Sequence, residues 1–128
     1  MAAPSIQVAS WLQSVLRHLP ATIHAVYVEY SHAYSPSMDD LACFNAFGYE
    51  SLAEGCFDPS SMKHYFMLGD FSWEPPEDCS FRAADFPDTD WMRVLKNSAE
   101  SPEAIALAME HGIQLIVGEH DGDVFRLR

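Results

Sequence analysis

Residues 101–128 constrain the fold more than any other stretch, because each boundary within them carries its own chemistry. Ser101 suits the N-cap of a helix, Pro102 suits its first position, and Gly112 suits the left-handed residue that ends it. An apolar run follows at 113–117, and after a polar turn a second apolar run closes the chain. The sequence therefore predicts a helix between Pro102 and Gly112, followed by two strands joined as a hairpin.

Hydrophobic periodicity predicts the elements of the N-terminal half. Apolar residues recur at helical spacing over 5–18, with Ser5 as the expected N-cap and Trp11 on the buried stripe. Strands are expected at 22–31 and 62–73, which are rich in β-branched or aromatic residues. The first of these strands carries apolar side chains at alternating positions on both sides, so we expect it to lie at the centre of a sheet.

The middle of the chain is less regular. Residues 41–49 suit either a helix, because of Leu and Ala, or a strand, because Phe and Tyr cluster there, and the clustering favours the strand. A short helix is predicted over about 90–98, capped by the run Asp88-Thr89-Asp90. A loop is predicted over 50–61, and two further polar connections are 31–40 and the acidic, proline-rich 74–88.

Together these elements indicate an α+β fold, because helices and strands occur in separate groups rather than in strict alternation. The predicted order is α-β-β-β-α-α-β-β. We expect one domain over residues 1–128, with an antiparallel sheet of about five strands and the helices packed on one face.

The charge of the chain restricts its partners. Nineteen Asp and Glu against seven Lys and Arg give a formal net charge of −12. Such a surface repels both the phosphate backbone of nucleic acid and an anionic membrane, so neither is expected as a partner. The same charge speeds association with a basic protein.

Cysteine usage and the N-terminus bear on the compartment. The three cysteines form an odd set without C-x-x-C spacing, which is typical of a reducing compartment rather than a disulfide framework. The N-terminus has no positive charge ahead of an apolar run, and no apolar stretch reaches the roughly 18 residues of a membrane span. A cytoplasmic location is therefore expected.

Catalytic and metal-binding patterns are weak. The six histidines are scattered, with no pair at metal-binding spacing on one helix face. The Asp121-Gly122 pair lies between two apolar runs and is typical of a tight turn rather than of a calcium loop. No nucleophile elbow, phosphate-binding loop or dinucleotide fingerprint occurs. We expect no cofactor, no metal and no enzymatic activity, and a small enzyme or metal-binding protein remains an alternative.

The polar connections combine aromatic and acidic residues. Tyr and Trp are favoured anchors of protein interfaces, and acids around them orient a basic surface. We therefore predict that the two connections bind a protein partner. The predicted partner-binding residues are Tyr34, Asp39, Asp40, Trp73, Glu74, Glu77, Asp78, Asp85, Phe86 and Asp88.

These features lead to one functional hypothesis. A small acidic protein without catalytic motifs suits the inhibition of a basic partner, because its carboxylates occupy sites where such a partner binds phosphates. The most concrete form is a bacterial immunity protein or antitoxin that covers the active site of a cognate toxin, such as a nuclease.

An alternative comes from the order of the elements. Apart from the added helix before Gly112, the order α-β-β-β-α-β-β in a small acidic protein resembles that of the type III secretion chaperones. That resemblance implies a dimeric protein that holds a secreted effector in an extended state. It covers most of the chain and is one of element order, without a residue motif.

Overall fold

The computed structural model describes residues 3–34, 40–51, 71–119 and 124–126, with residues 33, 34 and 124–126 described by their backbone alone. The helices of this part are α1 (Pro4–Arg17), α2 (Trp91–Ala99) and α3 (Pro102–His111). Its strands are β1 (Ala25–Tyr34), β2 (Asp40–Tyr49), β3 (Cys79–Arg82), β4 (Gln114–Glu119) and β5 (Val124–Arg126). A 3₁₀ turn, Ala83–Asp85, follows β3. Within the described residues, no helix is long and apolar enough to cross a membrane.

The strands form one five-stranded sheet in the order β3-β2-β1-β4-β5. The α+β class is therefore confirmed. Antiparallel pairs join β1 to β2, β2 to β3 and β4 to β5, whereas β1 and β4 run parallel. The prediction of a wholly antiparallel sheet is wrong at that pair. The physical reason is that α2 and α3 carry the chain back across the sheet, so that β4 starts beside the start of β1.

All three helices pack on one face of the sheet. Alternate side chains of the strands point to this face, and apolar side chains at helical spacing cover them. The fully buried members of this core include Leu12, Leu16, Val26, Val28, Phe44, Leu95, Leu115 and Val117. Phe44, Phe81 and Trp91 add ring contacts with centroids between 5.4 and 6.2 Å apart.

The opposite face of β1 is buried as well. Tyr27 of β1 and its neighbour Ile116 of β4 have no exposed surface, and Glu29 of β1 is only 6% exposed. The hydroxyl of Tyr27 donates a hydrogen bond to the Glu29 carboxylate at 3.3 Å. The prediction that this strand is central and buried on both sides is confirmed.

Two predicted connections contain regular structure. The predicted loop 31–40 is shorter than expected, because β1 continues to Tyr34 and β2 begins at Asp40. The predicted loop 74–88 contains β3 and the 3₁₀ turn. Most of the predicted loop 50–61, most of the predicted strand 62–73 and the predicted turn at 121–122 lie outside the described residues.

The N-terminal caps of the helices agree with the prediction at two of three positions. The Ser101 hydroxyl accepts a hydrogen bond from Ala104 N–H at 3.3 Å, and the Asp90 carboxylate accepts one from Arg93 N–H at 3.1 Å. Ser5 is not a cap, since α1 begins one residue earlier at Pro4 and its N-cap, Ala3, has no side-chain bond. Proline suits this first helical position, because it has no N–H to satisfy.

Replacement of the two serines by alanine should therefore have different effects on stability. We expect Ser101→Ala to lower the free energy of unfolding by about 1 kcal/mol, because the first turn of α3 loses its cap. Ser5→Ala removes no capping bond and is expected to change it by less than about 0.5 kcal/mol. Urea unfolding monitored by circular dichroism measures both. Equal losses in the two variants would contradict the assignment of the caps.

Candidate functional site

An apolar groove lies between α1 and the segment that leads into β3. Its volume is about 380 Å³. We call it the tryptophan groove. It is lined by Trp11, Ser14, Val15, His18, Trp73, Pro75, Pro76 and Glu77.

One wall of the tryptophan groove comes from α1. Trp11, Val15 and His18 follow one another at three- and four-residue spacing, so they share one side of the helix. Val15 is buried, whereas Trp11 is only half-buried and packs against the edge of the core. The assignment of Trp11 to the core is therefore incomplete, because the same ring also lines the groove.

Trp73 forms part of the other wall and is held by Gly48 of β2. Gly48 N–H donates to the Trp73 carbonyl at 2.6 Å, and Ser72 N–H donates to the Gly48 carbonyl at 2.8 Å. A Cβ atom at Gly48 would lie 3.0 Å from Cε3 of Trp73 and 3.2 Å from Ile23. A glycine is therefore needed here to let the indole ring approach the sheet.

A hydrogen bond closes the groove at one side. The Trp11 indole Nε1–H donates to the backbone carbonyl of Glu77 at 3.0 Å. His18 Nδ1 lies 2.7 Å from the Ser14 carbonyl, and because a carbonyl carries no proton, the ring nitrogen is the donor. Both N–H groups are thus used inside the protein.

Three exposed acids, Glu74, Glu77 and Asp78, lie in the segment that leads into β3, and of these Glu77 lines the tryptophan groove. Pro75 and Pro76 lie between the first two and fix φ at both positions, which stiffens the segment. Of the predicted partner-binding residues, Trp73 and Glu77 line the groove, and Glu74 and Asp78 are next to them in the sequence.

The other predicted residues lie elsewhere. Asp85 and Asp88 are exposed beyond the opposite end of β3, and Asp88 adopts a positive φ of 66°. Phe86 is half-buried in the aromatic core, with its ring centroid 5.8 Å from that of Phe81. Asp40 is exposed at the start of β2, 3.7 Å from His32. The backbone of Tyr34 pairs with Asp40, while the Tyr34 side chain and Asp39 lie outside the described part.

A larger cavity of about 620 Å³ lies beside α2. Along this helix, Arg93 and Lys96 lie between Asp90 and Glu100 at three- to four-residue spacing, and Glu119 of β4 also lines the cavity. Neighbouring opposite charges of this kind are typical of a solvated helix face. We therefore place the candidate site at the tryptophan groove.

Metal and acid–base chemistry have little support in the described residues. Within that part of the chain, no cluster of His, Cys, Asp and Glu is arranged to hold a metal ion. The Tyr30 hydroxyl lies 3.3 Å from His32 Nδ1, but burial, followed by the charges of Glu119 and Cys43, raises the pKa of Tyr30. The phenol therefore stays protonated at neutral pH and is a poor base.

The two described cysteines are also poor nucleophiles. Burial raises the pKa of Cys79 to about 11. Burial, followed by the charge of Asp78, raises the pKa of Cys43. The thiolate is the reactive form, so neither side chain suits nucleophilic catalysis near neutral pH.

Comparison with known proteins returns no match: no protein family, no curated protein and no solved structure is significantly similar to this chain. The function must therefore be argued from the tryptophan groove and from the charge of the chain.

Replacement of Gly48 tests how the groove is held. We expect Gly48→Ala to cost about 1–3 kcal/mol of unfolding free energy, because the new methyl group crowds Trp73 and Ile23. It should also shift the Trp73 indole N–H peak in a ¹H–¹⁵N spectrum. The control is Gly112→Ala, where φ is +64° and no atom lies within 4 Å of the new Cβ. That variant should cost about 1 kcal/mol without moving the peak. An unmoved peak in Gly48→Ala would contradict the contact.

Alkylation tests the cysteine assignments. We expect iodoacetamide at pH 8 to modify Cys79 on the order of a hundredfold more slowly in the folded protein than in urea, because its raised pKa keeps the thiol protonated. The rate should increase as the pH rises towards about 11, where the thiolate forms. Peptide mass spectrometry resolves each site. A folded rate equal to the rate in urea would contradict the shift.

Proposed function

We propose that this chain is a small acidic binding protein that inhibits a basic partner protein. The observation that carries the proposal is the tryptophan groove, whose apolar walls end at the exposed Glu77, with exposed Glu74 and Asp78 next to lining residues in the sequence. The formal net charge of −12 gives the chain as a whole the same acidic character. The proposal includes no cofactor and no catalytic step.

The arrangement resembles the usual anatomy of a protein interface. Interfaces concentrate their binding energy in a few partly buried Trp, Tyr or Arg side chains, and polar residues surround them. Trp11 and Trp73 supply the anchors on this chain, and the acids supply the rim. The rim charges accelerate encounter with a basic surface and select against acidic proteins.

The strand β3, which lies at one edge of the sheet that the described strands form, extends this surface. Glu77 and Asp78 precede the strand, whereas Asp85 and Asp88 follow it, and all four carboxylates are exposed. Asp40 lies near the end of β3, because the next residue of β2, Leu41, pairs with Arg82, the last residue of β3. We propose that the partner lies along β3 and contacts both acidic groups, with the tryptophan groove at one end.

The most concrete form of this function is that of a bacterial immunity protein or antitoxin in the cytoplasm. A toxin that cleaves nucleic acid has a basic active site, and an acidic protein can cover it by placing carboxylates where phosphates bind. Inhibition then requires no chemistry from the inhibitor. A toxin gene beside the gene for this chain would agree with this form of the proposal.

Charge reversal tests the binding surface. The partner is captured on the immobilised chain at low salt, identified and purified, and its affinity is measured by calorimetry in about 150 mM salt, where exposed charges interact over about 8 Å. We expect a basic protein whose activity falls with one equivalent of the chain. The variant Glu77→Lys/Asp78→Lys/Asp85→Lys should bind at least about tenfold more weakly, with a smaller salt dependence.

A matched variant separates local contacts from overall charge. Glu100→Lys/Glu103→Lys/Glu110→Lys changes the net charge equally on exposed residues after α2 and along α3. It should leave the affinity within about threefold at the same salt. Equal weakening by both variants would reject the surface, and an acidic partner or one with undiminished activity would reject the function.

A further inference from the structure

We infer that the tryptophan groove receives an arginine side chain of the partner. This inference rests on the proposed function, and it names the group that the groove recognises.

The groove offers mainly acceptors, beside the Ser14 hydroxyl, which can donate or accept. The indole N–H of Trp11 is used by the Glu77 carbonyl, and the Nδ1–H of His18 is used by the Ser14 carbonyl. His18 Nε2, in the neutral ring, and the Glu77 carboxylate are acceptors, and the Ser14 hydroxyl can accept as well. No hydrogen bond to these acceptors occurs within the described part of the chain. A ligand that enters the groove must therefore supply donors.

The walls of the groove select a long side chain with an apolar stem. Trp11, Val15, Trp73 and the two prolines present mainly hydrocarbon and aromatic surface. The volume of about 380 Å³ is near the lower end of the roughly 300–1,000 Å³ that small-molecule pockets enclose, so it suits a single side chain. Lys and Arg bury their methylene stems along such surfaces while the charged end reaches a polar rim.

Arginine fits this combination better than lysine. Its guanidinium is planar, stacks on aromatic rings and offers five N–H donors to several acceptors at once, whereas an ammonium is compact and more strongly hydrated. The carboxylate of Glu77 supplies the opposite charge at the edge of the groove. An uncharged apolar side chain would pack against the walls of the groove but would leave its acceptors without donors.

Small arginine derivatives test the groove without the partner. N-acetyl-arginine-N-methylamide is added to the ¹⁵N-labelled protein in about 50 mM salt, and the indole N–H peaks of Trp11 and Trp73 are followed. We expect both peaks to shift, with a dissociation constant on the order of a few millimolar. The citrulline and norleucine analogues, which lack the charge, should bind at least about fivefold more weakly.

A variant identifies the charged contact. Glu77→Gln keeps the backbone carbonyl that binds Trp11, so the groove remains closed while its charge is removed. It should weaken arginine binding at least about threefold. Glu103→Gln changes an exposed acid on α3 and should leave binding unchanged.

The possible outcomes are distinct. Equal binding of the norleucine or the citrulline analogue, or unmoved indole peaks, would overturn the inference. If arginine fails to bind while the charge-reversal variant still loses the basic partner, only the role of the groove is rejected. If arginine binds as expected and the captured partner is acidic, the groove stands and the proposed function is rejected.

Discussion

The parallel pairing of β1 with β4 is the contact on which the rest of the structure depends. Parallel neighbours need a long crossover, and here α2 and α3 are part of that connection. Because the helices all lie on one face, α1 packs against both α2 and α3 over the centre of the sheet. The position of α1 in turn sets one wall of the tryptophan groove.

Local chemistry predicted the elements better than it predicted their pairing. The caps at Ser101 and Asp90 and the buried alternation of β1 depend on neighbouring residues, so they are visible in the sequence. The parallel pair depends on residues far apart in the chain. The strand β3 was missed because Cys79–Arg82 is short and lies among acids and prolines, and its pairing with β2 outweighs that composition.

In the candidate site, too, the residues that are close in the sequence were predictable and those that meet through folding were not. Trp73, Glu74, Glu77 and Asp78 are neighbours in the sequence, so their shared position was predictable. The participation of Trp11 was not, because its hydrogen-bond partner Glu77 is 66 residues away and meets it only after α1 packs. A Trp and a His seven residues apart on one helix were the available signal. Phe86 was predicted to bind a partner, but its ring packs against Phe81 and Trp91 in the aromatic core.

The bond between Trp11 and Glu77 has a consequence for divergence among related proteins. It uses the main-chain carbonyl of Glu77, which every amino acid carries, so the identity of the side chain is not required to hold α1 in place. Substitutions at this position can therefore change the charge at the edge of the groove without loosening the scaffold. If the proposed partner binds there, single steps at this position alter what the groove recognises while the folded domain stays intact.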